Sequence, residues 1–321
     1  MTAPLFSPEN KLIRQPQSGK RITPIWAVIP LTFFILILSQ MGAVIAVIYI
    51  LFQRLGAEQV SKLVADGELE TIVGQVQPQS AVDMMLFLIT AFFGIYVLVG
   101  LWVRFFEGRP IGSLGLSTEH PFRQFWRGFL IGAGMFILAV LPGMGFGLFT
   151  LEVGPVFTTS VLTGVGLVLI GWLVQGSAEE FIFRGWIFPV ISARYSLWLG
   201  ILLSSLLFAV AHSLNPNIGW LAVLNLFLFG VFTALYALNE ESIWGVCGIH
   251  AVWNWVQGNL LGLEVSGSRP GDVSLFVIKE TGADMLTGGA FGPEGGLMVT
   301  AVLGIGIIVV FLVAYRKQGL V

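Results

Sequence analysis

The chain has 321 residues, 56% of them hydrophobic and 11% charged, with a further 40 glycines and a net charge of −2. A soluble protein carries about 25% charged residues, and this chain has too little charge to cover a water-facing surface. That excludes a soluble globular enzyme, a disordered chain and a disulfide-stapled secreted domain. The balance of 16 Lys+Arg against 18 Asp+Glu gives no basic footprint for nucleic acid. A polytopic helical membrane protein remains, with membrane lipid as its first partner. The single cysteine, Cys247, rules out an internal disulfide and a multi-cysteine metal site, and reads as small core filling.

A spanning helix needs about 20 mostly apolar residues, because the lipid core satisfies no free backbone group. The first 25 residues are polar and carry Lys11, Arg14, Lys20 and Arg21. The apolar run behind them is longer than the 7–15 residues of a signal peptide and reads as an uncleaved anchor. Eight runs follow in chain order, at about 26–52, 82–105, 126–149, 157–183, 196–213, 218–239, 243–262 and 297–315. The fourth is able to continue toward Pro189. Near-continuous apolarity favours helices over barrel strands. The expected fold is all-α, with about eight transmembrane helices.

Three divisions follow: 1–104 as tail and two helices, 105–262 as a helical core, and 263–321 as loop and final helix. The segment 53–81, with Glu58, Asp66, Glu68 and Glu70, reads as a short surface helix. The Gly-rich segment 264–296 carries nothing that marks a recognition pocket. Gly128, Gly132, Gly143 and Gly147 recur at four-residue spacing and suit close helix approach. Trp26, Trp102, Trp126, Trp244 and Trp253 read mainly as interfacial and packing residues.

With the N-terminus in the cytoplasm, alternation places Lys11, Arg14, Lys20, Arg21, Arg104, Arg109, Arg123, Arg127, Arg184, Arg194, Arg316 and Lys317 on the cytoplasmic side. Only Arg54, Lys62, Arg269 and Lys279 fall outside. The bias predicts a multi-pass protein of the plasma (inner) membrane with both termini cytoplasmic.

A charge at the bilayer centre costs about 2.5–3.5 kcal/mol on insertion scales, so an ionisable residue there needs a partner, a wet cavity or a function. Three places stand out. Gln175-Gly-Ser-Ala-Glu179-Glu180-Phe-Ile-Phe-Arg184 ends the fourth run. Glu180 and Arg184 are i,i+4 neighbours in the favourable order, and by themselves read as a structural ion pair. Glu179 has no cation at helical spacing, and a carboxylate so placed suits a general base. Phe208-Ala-Val-Ala-His212 lies in the fifth run, and His250-Ala-Val-Trp-Asn254 in the seventh. Imidazole suits proton transfer or metal binding. The i,i+4 spacing of His250 and Asn254 puts two hydrogen-bonding groups on one face. Each feature alone fits helix–helix contact; the three together do not. The third histidine, His120, sits in a polar loop beside Pro121 and reads as solvated.

A hairpin tip near 195 sets Glu179 and His212 at one level, each about 24 Å from the tip. His250 lies only about 10 Å into its own helix. The three meet if the fourth–fifth hairpin projects into the cytoplasm or the seventh helix starts deeper.

These motifs, in this order, resemble the CPBP family of CAAX proteases and bacteriocin-processing relatives, whose pattern is Glu-Glu-x3-Arg, Phe-x3-His and His-x3-Asn. The segment from Arg109-Pro110 to Leu114-Gly115-Leu116 is similar to the stretch preceding the core in bacterial members. The resemblance covers about 105–262. It implies an intramembrane endopeptidase that activates water and acts on a membrane-associated or lipidated peptide or protein. Glu179, His212, His250 and Asn254 would be catalytic: Glu179 the base, His212 holding the water, His250 and Asn254 stabilising the oxyanion. Glu180, Arg184 and Phe208 would support the site or contact substrate. A divalent metal such as zinc is an open cofactor, with Glu179, His212 and His250 as its candidate ligands. Two other readings are a non-enzymatic immunity or assembly factor with a structural polar core, and a transporter that relays protons.

Overall fold

A computed structural model of the chain describes residues 9–68, 76 and 78–317. Among the described residues nine main helices follow one another: α1 Ile25–Ser39, α2 Met41–Ala65, α3 Ala81–Leu101, α4 Pro121–Gly145, α5 Thr159–Glu180, α6 Leu197–Ala211, α7 Trp220–Glu240, α8 Trp244–Trp255 and α9 Leu297–Lys317. The fold is all-α and polytopic, as expected. Six stretches among the described residues are long and apolar enough to cross a membrane: Ile25–Ala65, Ala81–Glu107, Pro121–Gly145, Thr159–Arg194, Trp220–Glu240 and Leu297–Arg316.

Two of the eight predicted runs therefore give shorter helices, α6 and α8. The reason is visible in α8, where every residue from Gly245 to Asn254 is buried. It packs on α4, α5 and α7 inside the bundle, and a helix that does not face lipid needs no bilayer-length span. Glycines seat it there. A Cβ on Gly176 of α5 would lie 2.7 Å from the Ala251 nitrogen, and one on Gly132 of α4 would lie 2.6 Å from the Ile249 carbonyl. The four-glycine stripe divides: Gly128 and Gly132 meet α8, Gly143 meets Phe149, and Gly147 occupies a turn at φ 71°.

The fourth run does continue. After Glu180 a wide-turn π segment, Phe181–Ile187, leads into Phe188–Arg194. The 53–81 segment is partly an extension of α2, which is interrupted at Gly56 and ends at Ala65; Glu70 lies outside the described residues. The described residues also form a small sheet, β1 Phe149–Val153 antiparallel to β2 Val277–Glu280, with Phe149 opposite Glu280 and a bulge between Leu151 and Val153.

The bundle has two ends. At one, the polar N-terminal segment is folded onto the helices: Leu12 is fully buried, Asn10 donates to the Leu238 carbonyl, and the Lys20 N–H donates to the Glu107 carbonyl. Arg194 donates to the Ile22 carbonyl, and the Ile243 N–H to the Gly115 carbonyl. We call this the basic face. At the far face, the Val156 N–H donates to the Leu275 carbonyl and the Gly267 N–H to the Phe291 carbonyl, so the 264–296 segment caps the helices there.

This packing resolves the level problem. A Cβ on Gly185 would touch the Leu114 carbonyl and lie 3.5 Å from Ile243, so α8 starts level with Gly185. The chain runs on from there to Arg194, about 14 Å further by helical rise. The fourth–fifth hairpin extends past the start of α8, and Glu179 and His250 fall at one depth.

Candidate active site

Glu179 and Glu180 end α5, where the π segment begins. Such segments inside helices recur at functional sites, and a second one, Val256–Leu260, directly follows α8. The two carboxylates diverge, as adjacent helical positions must. Glu180 points inward and is fully buried. It receives Arg184 Nη1 at 3.2 Å and lies 2.8 Å from His250 Nδ1. Glu179 points into a cavity of about 680 Å³. Its Oε1 accepts from Gln175 Nε2 at 2.7 Å, and its Oε2 makes no hydrogen bond to protein.

His212 caps the C-terminal end of α6. The last carbonyls of a helix lack intrahelical donors, and His212 Nδ1 takes that of Phe208 at 2.8 Å. A carbonyl only accepts, so Nδ1 carries the proton and Nε2 is turned to Glu179, 3.8 Å from Oε2. His250 behaves alike: with Nδ1 on Glu180, its Nε2 lies 3.7 Å from Glu179 Oε2. One carboxylate oxygen is thus faced by two imidazole nitrogens. Asn254, one turn beyond His250, donates to Gln175 Oε1 at 2.9 Å. Glu179, His212, His250 and Asn254 all line the one cavity.

The supporting residues separate. Phe208 lines the cavity, with its ring 4.7 Å from that of His212 and the Arg184 guanidinium over it at 4.6 Å. Glu180 and Arg184 are wholly buried and absent from the cavity wall. Of the two expectations for them, ordering the site fits this position and substrate contact does not. Cys247 is buried and free, as expected for core filling.

Two contributions were not foreseen. Gln175 joins Glu179 to Asn254; its signal was present, since a carboxamide four residues before Glu179 shares its helix face. The 264–296 segment also reaches the site, although nothing in its sequence marks a recognition pocket. Val265, Ser266, Ser268 and Glu294 line the cavity. Glu294 accepts from Trp253 Nε1 at 3.2 Å and from the Ser266 N–H and Oγ, while Asn215 donates to the Ser266 carbonyl. These contacts tie the turn after His212 to the helix bearing His250. Residues far apart in sequence assemble them, so local spacing gave no sign.

Glu179, His212 and His250 were also the candidate metal set. Tetrahedral zinc with ligands at 2.0–2.1 Å holds neighbouring donors about 3.4 Å apart, and the carboxylate–imidazole distances here are 3.7 and 3.8 Å. No group of three or more His, Cys, Asp or Glu among the described residues is arranged to hold a metal ion. The side chains as placed do not fit a metal, and no step below is routed through one.

Fold and site together define a polytopic membrane protein with a buried carboxylate–imidazole centre. Residues 160–256 match the family model described as Type II CAAX prenyl endopeptidase Rce1-like. Over that segment, under a third of its length, the chain is similar to the CPBP membrane proteases, a family of CAAX-protease-type hydrolases. An Escherichia coli protein described as an uncharacterized 24.3 kDa protein is 44% identical over 67 residues, 20% of this chain and 30% of that relative. The match thus spans less than a third of the relative's length. No solved structure matches the chain.

Proposed function

We propose that the chain is an intramembrane endopeptidase that hydrolyses a peptide bond of a membrane-associated protein or peptide. The observation that carries this is the approach of two histidine Nε2 atoms, at 3.7 and 3.8 Å, to a Glu179 oxygen that has no protein donor. A water at Oε2 donates one proton to Glu179 and the other to His212 Nε2. Its oxygen attacks the scissile carbonyl carbon, and Glu179 takes the proton. The carbon–nitrogen bond then breaks, and Glu179 passes the proton to the leaving amine. Asn254 has a second N–H beyond the one given to Gln175, and a protonated His250 donates from Nε2; both serve the oxyanion. Glu180 fixes the His250 ring and faces it when it is charged, while Phe208 and Arg184 hold His212 in place.

The family match over 160–256 supports this reading. The test compares membrane peptidomes of cells making equal amounts of wild-type and Glu179→Gln protein. The expected result is a set of fragments present only with wild type. Identical peptidomes, with both proteins folded and inserted, would contradict the proposal and favour a structural polar core.

A further inference from the structure

The cavity has its exposed rim toward one end of the bundle, and that end is identifiable. Beyond Glu179, Phe183 and His250 of the centre itself, its walls lie toward the far face: Leu36 and Gln40 at the end of α1, Met84 and Leu88 at the start of α3, and Asn225 near the start of α7. Its rim is formed by the turn after His212 and by the 265–268 segment, where Leu214 is 95% exposed. Toward the basic face the way is closed. Glu180, Arg184, Trp186 and Phe188 are all fully buried below the site, and Leu114 and Leu12 are fully buried beneath them.

The two ends differ in charge. Arg184 is buried beside Glu180. Of the remaining Lys and Arg, eleven belong to the basic face and its flanking segments; Arg54, Lys62, Arg269 and Lys279 belong to the far side. Cytoplasmic loops carry the excess of Lys and Arg in membrane proteins. The face with the catalytic opening is then the one turned away from the cytoplasm.

We infer that the cavity is entered from the extracytoplasmic side. Resting on the peptidase reading, this makes the substrate a peptide segment exposed on the outer side or in the outer half of the membrane, not a cytosolic C-terminus. The loop 264–296 is then a substrate-facing wall, with Ser266 and Ser268 on the entry path.

Cysteine labelling tests the sidedness without requiring any cleavage. Cys247 is buried, so the unmodified chain serves as the blank. Leu214→Cys, at the cavity rim, and Glu119→Cys, exposed on the basic face, are treated in intact cells with a membrane-impermeant maleimide. Expected is labelling of Leu214→Cys several-fold above the blank, with Glu119→Cys reacting only after permeabilisation. The reverse pattern, or equal labelling of both in intact cells, overturns the inference. If Leu214→Cys fails to accumulate, Ser213→Cys on the same rim takes its place. Outward labelling alongside unchanged peptidomes would leave the sidedness standing and remove the peptidase reading.

Discussion

Two buried carboxylate clusters among the described residues, one around Glu107 and one around Glu179 and Glu180, differ in a way that separates structure from chemistry. Near the basic face, Glu107 is fully buried and nearly saturated. Its Oε1 accepts from Thr23 Oγ1 and Trp186 Nε1, and its Oε2 from Arg109 Nε at 2.6 Å. Arg109 Nη1 goes on to the Ser113 carbonyl and hydroxyl, leaving only Nη2 without a partner. Burial pulls the Arg109 guanidinium below its ordinary pKa, and the Glu107 charge opposes that pull. Trp186, which bonds Glu107, lies about 10 Å by helical rise from Glu179, and there the second cluster is open. Glu179 Oε2, Glu180 Oε2, Arg184 Nε and Arg184 Nη2 all lack protein partners, and Glu179 faces a cavity. Unmet hydrogen-bonding capacity in a buried polar group is costly. A fold that nearly saturates one acid and leaves an oxygen of the other without a protein donor agrees with the proposal that the second meets something that enters.

Four substitutions sharpen or break that contrast. The largest effect is expected from Glu107→Ala, which strands the Arg109 charge in a buried site. Breaking such a pair costs about 3–5 kcal/mol, so folded protein in membranes should fall steeply. Normal accumulation of Glu107→Ala would make the two clusters equivalent. Next comes Glu179→Gln, expected to lower cleavage by about 10²–10⁴-fold, as for loss of a general base, with the amount of folded protein unchanged. A matching loss of folding would assign Glu179 to structure.

Gln175→Ala removes one hydrogen bond from the Glu179 carboxylate and one from Asn254. A hydrogen bond to a charged group is worth about 1.5–3 kcal/mol, so the rate should fall about 10–100-fold. Gln175 acts through its neighbours, so the pH–rate profile should shift with it, which a purely structural role would leave in place. The smallest effect belongs to Glu280 on β2, where burial pushes the carboxyl up to about 7. The folded state holds this proton more tightly than the unfolded one. The associated stability is therefore full below the ordinary value of 4.5 and lost as pH rises to about 7. Between pH 5 and 8 the melting temperature of Glu280→Gln should fall less than that of wild type. Parallel melting curves would remove Glu280 from the account.

The contrast also marks what sequence could reveal. The open cluster was legible because histidine is rare here and each motif repeats an i,i+4 spacing on an apolar helix, where any polar residue stands out. Glu107 passed unnoticed because its partners Thr23 and Trp186 are distant in sequence and Arg109 is ordinary in kind. The Glu294–Ser266–Trp253 contacts were hidden for the same reason. The eight apolar runs were found, but hydropathy does not distinguish a helix facing lipid from one buried among helices, so α6 and α8 read as full spans. The depth of His250 depended on where α8 begins, and that is fixed by Leu114 and Gly185 from other parts of the chain.

The central claim is that Glu179 activates water for peptide hydrolysis. Membranes holding wild-type or Glu179→Gln protein, incubated in heavy-oxygen water, test it through the new C-termini. With wild type, fragments should appear whose terminal carboxylate carries one heavy oxygen, and with Glu179→Gln they should be missing. Equal yields of labelled fragments from both proteins would contradict the account.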